Sequence, residues 1–264
     1  MSCRIQTTTA NGSAHVMDFS YDSVTGKPFQ MTYPTSTASA RVAMRYGYQY
    51  GFVQNVTDWT SGSAGTVLWA ANTQDARGHV SQETYGNGQK STLGFDQING
   101  RLYTVQTGPG GGSSTQSLAY GWDGVGNLAS RQDLIQSLTE SFGYDAVYRV
   151  LSVQRNGSTS LSMGYDTIGN VTSKSDVGSY AYPASGGSSV RPHAVSTAAG
   201  NSYTYDANGN MITRSGASVS WSSYNYPTTI NQAGGNTSTF YYGADRSRYR
   251  QLPARWIPIV IVVQ

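Results

Sequence analysis

Charge is scarce in this chain. Only 12% of its 264 residues are Asp, Glu, Lys or Arg, about half of the roughly 25% usual in soluble domains. The net charge is +3, and Lys and Arg form no block anywhere. A nucleic-acid interface normally leaves a clustered basic footprint, so no nucleic-acid partner is expected. Cysteine is nearly absent. Cys3 stands alone, which excludes an intrachain disulfide and a Cys-based metal site. Long apolar runs are missing too. Residues 1–20 lack the apolar core of a signal peptide, and no segment reaches the roughly 18 apolar residues of a membrane span. The nearest approach, Trp256-Ile257-Pro258-Ile259-Val260-Ile261-Val262-Val263, is short and contains a proline. A helical 3.6-residue period is absent, as are stretches rich in Ala, Leu, Glu and Lys.

What is present is the vocabulary of strands and turns. The chain has 31 Gly and 20 Tyr, set among many Ser, Thr and Asn. Tyr, Val and Thr suit pleated surfaces, whereas Gly, Asn, Asp and Ser suit tight turns. The composition therefore predicts an all-β chain.

One pattern recurs: an aromatic residue, Asp, two or three residues, Gly, a polar residue, then an apolar one. Its copies begin at Tyr21-Asp22 (with Gly26), Phe95-Asp96 (Gly100), Trp122-Asp123 (Gly126), Tyr165-Asp166 (Gly169) and Tyr205-Asp206 (Gly209). A variant, Tyr144-Asp145, has Tyr148 where Gly is expected, and Asp75 with Gly78 lacks the leading aromatic. A degenerate copy is expected at Trp221-Ser222. Successive aspartates from Asp75 lie 21, 27, 22 and 21 residues apart, then 40, close to two units, from Asp166 to Asp206.

Each position has a physical reading. Asp opens a type I turn and its carboxylate accepts backbone N–H groups two residues on. Gly takes the left-handed conformation that closes the turn with a bulge. The apolar residue starts the returning strand, and the aromatic packs beside its neighbours on the sheet. One hairpin is marginal by itself, so the units must join a common sheet. Twelve of the 14 acidic residues are Asp, and most clear repeats carry one at the same place. That regularity favours turn formation over acid–base chemistry.

Tyr-Asp-x-x-Gly-Asn/Arg at this spacing resembles the Rhs/YD-repeat family, from about Phe19 to about Arg250. Two further stretches are similar to family sequence near the Rhs-associated core. One runs from Tyr180-Ala181-Tyr182-Pro183 through Arg191-Pro192-His193-Ala194-Val195; the other is Tyr241-Tyr242-Gly243-Ala244-Asp245-Arg246. The resemblance implies β-hairpins wound into a curved, spiralling sheet, here a partial Rhs shell, as in bacterial polymorphic toxins and insecticidal toxin complexes. It implies a non-catalytic shell segment that encloses or delivers a toxin, in bacterial competition or host attack. Its partners would be a C-terminal toxin cargo or other parts of an Rhs or toxin-complex protein, secreted or at the cell surface as part of a larger system. The alternative is a cell-surface carbohydrate-binding or adhesion module with glycan partners. The expected organisation is an N-terminal lead-in over 1–18, repeats over 19–250 with a loop insertion about 178–200, and a divergent, frameshifted tail over 251–264. No core cleavage motif or toxin domain is seen, so the chain reads as a fragment.

No enzyme, cofactor or metal site is expected. His15, His79 and His193 are far apart, and no Ser-His-Asp arrangement is suggested by their placement. Asp206 to Asn210 faintly resembles a calcium loop, but Ala217 stands where an EF-hand needs Glu. Gly108-Pro109-Gly110-Gly111-Gly112-Ser113-Ser114 has no Lys before its Ser and reads as a flexible loop. Tyr46, Tyr48 and Tyr50 alternate, which predicts one strand face carrying all three.

Overall fold

A computed structural model describes residues 2–10, 13–35, 41–188 and 190–252. Among these residues there are 23 β-strands and no helix. The all-β expectation holds. The divergent tail from residue 253 onward lies outside the described residues, and 251–252 belong to the strand Arg248–Leu252.

The chain divides into two compact units, residues 1–143 with 153–158 and residues 144–152 with 159–264. In the first, each strand from Ser2–Ala10 to Leu138–Tyr144 pairs antiparallel with the next strand in sequence. In the second, the strands from Ser158–Tyr165 to Arg248–Leu252 do the same. Each unit is a meander, the topology expected when every connection is a short hairpin turn. The segment read as a lead-in is itself a hairpin, Ser2–Ala10 against Ser13–Tyr21. Within the region read as an insertion, Gly178–Ala181 and Thr197–Ala198 pair as strands.

Neither unit has a conventional core. Among the described residues no large side chain is fully buried, and the buried hydrophobic residues are Met17, Met31, Ala43, Ala71, Ala198 and Phe240. Domains usually gain stability by packing a second layer over an apolar face. Here that term is small, so ladder hydrogen bonds and contacts between neighbouring hairpins carry more of the stability.

Tyr50 departs from expectation. The strand Ala43–Gln49 ends before it, and Tyr50 with Gly51 forms the two-residue turn to Phe52–Asp58. Both turn residues have positive φ, 50° and 89°, and Tyr50 is 90% exposed. A two-residue hairpin of this type demands the left-handed region at both positions. Turn geometry therefore overrides the alternation, and a register shift between Gly47 and Tyr48 breaks it a second time.

Candidate functional site

The repeated residues converge on the hairpin turns. In the turns of Asp75, Asp123, Asp145, Asp166 and Asp206, the N–H three residues on donates to the Asp carbonyl, and the Asp N–H donates to the carbonyl four residues on. The carboxylate completes the turn. Its Oδ1 accepts the backbone N–H groups two and four residues on at 2.8–3.0 Å. Its Oδ2 lies 2.6–2.9 Å from a side-chain nitrogen of the residue four on: His79, Asn127, Arg149, Asn170 or Asn210. Asp22 and Asp96 open turns one residue longer, closed by Gly26 and Gly100. The polar residue after Gly thus has a partner that sequence reasoning did not assign.

The closing position is left-handed in every copy. Gly78, Gly126, Gly169 and Gly209 have φ of 85°, 102°, 94° and 86°. Tyr148 takes the same place at φ 65°. A side chain pays roughly 1–2 kcal/mol there, and Tyr148 is 58% exposed, with little packing to offset it. Tyr148→Gly is expected to raise stability by about 1 kcal/mol. Urea denaturation would show it, and an unchanged or lower midpoint would refute the strain. Asn225 and Arg246 hold the equivalent position at φ 62° and 64° in the turns of Ser222 and Gly243. The degenerate copy at Trp221-Ser222 therefore keeps the backbone without the Asp.

The aromatic residues link successive hairpins. Trp122 Nε1 donates to Leu102 O at 2.9 Å, Tyr165 OH to Val150 O at 2.9 Å and Trp221 Nε1 to Met211 O at 2.9 Å. Tyr48 OH donates to Pro28 O at 2.7 Å, Tyr242 OH to Pro227 O at 2.8 Å and Tyr205 OH to Val195 O at 2.9 Å. Five of these six acceptors begin the returning strand of the preceding hairpin. Val195 does the same duty from the Pro-His-Ala-Val segment.

The polar turn residue forms a second link. Lys27 lies over the Tyr48 ring at 5.2 Å, Arg101 over Trp122 at 5.8 Å and Arg149 over Tyr165 at 4.5 Å. His79 stacks on Phe95 at 4.7 Å, and Tyr226 meets Tyr242 at 5.1 Å. In each case the residue after the left-handed position touches the aromatic of the next hairpin. Where that residue is Asn170, it holds Pro192 O and His193 Nδ1 instead, at 2.9 and 2.8 Å. His79 and His193 thus serve turn and loop contacts. His15 lies in Ser13–Tyr21 opposite Thr8.

A second glycine column escaped the sequence reading. The sheet register shifts between Gly94 and Phe95, Gly121 and Trp122, and Gly164 and Tyr165. A Cβ at these glycines would lie 2.5, 2.5 and 2.6 Å from the hydroxyls of Thr104, Ser130 and Ser173. The bulge turns the aromatic toward the preceding hairpin, and glycine leaves room for the cross-strand residue. The available signal was a Gly directly before the aromatic at Gly94, Gly121, Gly143 and Gly164.

Three of the turn carboxylates, Asp22, Asp145 and Asp206, are held as anions by the hydrogen bonds of their own turns. Hydrogen bonds from the Thr25 backbone and side chain lower the Asp22 pKa. The Arg149 backbone N–H does so for Asp145, and the Asn210 side chain for Asp206. Apart from the turns, Glu140 is buried between Arg131 and Arg155, with Arg131 chiefly holding its pKa down. Carboxylates with depressed folded pKa stabilise the fold fully above the unfolded value of about 3.9. That contribution is lost as pH falls through the lower folded values. Stability should therefore be flat above about pH 5 and fall steeply below about pH 4. Urea midpoints across this range check it; Asp206→Asn should shallow the acid limb, and an unaltered limb would exclude Asp206 from it.

No group of three or more His, Cys, Asp or Glu among the described residues could hold a metal ion. Asp206 to Asn210 is satisfied as a turn, and Gly108 to Ser114 lies in the hairpin between Leu102–Pro109 and Gln116–Trp122. The geometry assembles turn carboxylates and aromatics for mutual support.

No family model and no curated protein matches the sequence. Solved structures do match. A mutant Photorhabdus luminescens Tc holotoxin pore superposes with TM-score 0.70 at 16% identity over 91% of this chain. The TcdB2-TccC3-Cdc42 structure gives 0.71 at 17% over 92%, and TcdB2-TccC3 gives 0.68 at 17% over 92%. The fold is shared with these toxin-complex chains. The present chain spans only 13–14% of the matched chains. At this identity the likeness rests on the hairpin meander, which tolerates wide exchange of residues between its turns.

Proposed function

We propose that this chain is a non-catalytic stretch of β-repeat wall that serves a toxin-complex shell, enclosing or delivering a polypeptide cargo. The observation that carries the reading is fold likeness over 91% of the chain to a Tc holotoxin pore structure. The repeat chemistry supports it. The motif residues Tyr21, Asp22, Gly26, Asp75, Gly78, Phe95, Asp96, Gly100, Trp122, Asp123, Gly126, Tyr144, Asp145, Tyr165, Asp166, Gly169, Tyr205, Asp206 and Gly209 serve as structural positions in this reading. Their hydrogen bonds fix turns and join hairpins, which suits a wall and leaves little for turnover. Its partners are the cargo and other parts of the complex, and the assembly works outside the producing cell.

The glycan alternative has less support. Sugar platforms need free ring faces, whereas Tyr48, Trp122, Tyr165 and Tyr242 already meet side chains of their own chain. The deciding experiment is protease protection. The protein would be expressed together with its native flanking reading frames, and a co-purifying polypeptide exposed to protease before and after mild denaturation. Enclosure predicts survival until the wall opens. Digestion at the rate of the free polypeptide would reject the reading.

A further inference from the structure

Arg131, Glu140 and Arg155 belong to the first unit and come from the strands Leu128–Asp133, Leu138–Tyr144 and Val150–Arg155. Arg131 stands directly opposite Glu140, and Tyr120 opposite Arg131. Leu118, Asp133 and Leu138 are opposed in the same way, two residues along each strand. Residues placed like this share one sheet face. Together with Arg155 they line a hollow of about 200 Å³.

The Glu140 carboxylate is shared between the two arginines, and its side chain is only 9% exposed. Arg131 Nε donates to Oε2 at 2.8 Å, and its Nη2 donates to the same oxygen. Arg155 Nε donates to Oε1 at 3.3 Å. One guanidinium would balance this carboxylate, so the second is surplus. Among the described residues no acceptor meets Arg131 Nη1 or either Nη of Arg155. The two arginine side chains are 49 and 62% exposed, which leaves these donors open to a ligand. Asp133 lines the hollow too, but its Oδ1 accepts the Ile135 and Gln136 N–H groups at 3.0 Å. Ion pairs this exposed add little stability, so folding gives little reason for a second arginine.

We infer that Arg131 and Arg155 form a binding site for one carboxylate of an acidic peptide, namely a glutamate side chain. Guanidinium forks pair with carboxylates through parallel N–H bonds. Glu140 is the positioning residue: it holds both forks in advance, which lowers the cost of ordering them on binding. Leu118, Leu138 and the Tyr120 ring offer apolar surface to the methylene stem of the incoming glutamate. The hollow is smaller than the roughly 300–1,000 Å³ of small-molecule pockets and suits a single side chain. A nucleic-acid strand needs a series of basic contacts, and Lys and Arg form no block in this chain. The inference rests on these side chains and not on the cargo reading.

The test is a titration of the blocked peptide acetyl-Leu-Glu-Leu-amide into the full isotope-labelled chain, followed through the arginine Nε–H signals by NMR. Arg131 and Arg155 signals should move, with affinity in the millimolar range that falls as salt is added. The Gln counterpart of the peptide should bind at least about tenfold more weakly. Arg155→Gln should cause a similar loss. Arg155→Lys keeps the charge without the fork and should weaken binding several-fold, which preserves the test if Arg155→Gln does not fold. Asp133→Asn keeps the turn acceptor, removes the opposing charge and should tighten binding. Arg214→Gln, in the second unit, should change nothing. Equal binding of the Glu and Gln peptides overturns the inference, as does a folded Arg155→Gln chain that binds like the native one. Inorganic phosphate binding as tightly as the Glu peptide also overturns it, because the apolar walls would then contribute nothing. None of these results bears on cargo protection, which is read on a different complex.

Discussion

Gly78→Val destabilises the first unit by about 3 kcal/mol, as the sum of two penalties. Gly78 has φ 85°, a region that β-branched residues almost never adopt. A Cβ there would also lie 2.7 Å from the half-exposed Phe52 ring, which must swing aside and lose its packing over the turn. Gly209 separates the two effects. Its φ is 86°, yet nothing lies within 4 Å of a Cβ. Gly209→Val therefore carries strain alone and should cost about 2 kcal/mol. Urea unfolding followed by tryptophan fluorescence would compare them. Equal losses at the two sites would mean that the Phe52 contact contributes nothing.

Trp122→Ala is the second large effect, expected at about 3 kcal/mol. It deletes the ring under Arg101 and the hydrogen bond to Leu102 O together. Both contacts join one hairpin to the one before it, so the loss falls on the coupling between repeats. In a repeat array such interface terms hold the units in one cooperative transition. The variant should lower the urea midpoint and broaden the transition. Trp122→Phe keeps a ring for Arg101 and loses only the donor, so it should cost about 1 kcal/mol. If Phe and Ala variants unfold alike, the ring contact is dispensable and the hydrogen bond alone is the link.

Much of this fold was legible in the residues. Turn chemistry is local. Asp123 bonds groups within four residues of itself, and Gly126 closes that turn with its own φ. Such contacts are readable because nothing distant takes part in them. The all-β class followed for the same reason, from strand and turn preferences repeated along the chain. Tyr50 misled, because alternation describes a strand only while the strand lasts.

The bonds between hairpins were not legible. Trp122 and Leu102 are 20 residues apart, and Tyr205 and Val195 only 10. No fixed spacing joins an aromatic to its acceptor, because the hairpins between differ in length. The role of the polar turn residue was hidden likewise. Asn127, Arg149 and His79 look interchangeable in sequence, yet each must reach its own Asp, and His79 and Arg149 also reach the following aromatic. The sequence by itself determined the turns, the strand class and the repeat, all set by residues within a few positions of one another. Tertiary structure alone decided which carbonyl each aromatic holds and which ring each cation covers. Those choices depend on hairpins lying side by side at the strand spacing, a distance that the chain adopts only once the sheet has formed.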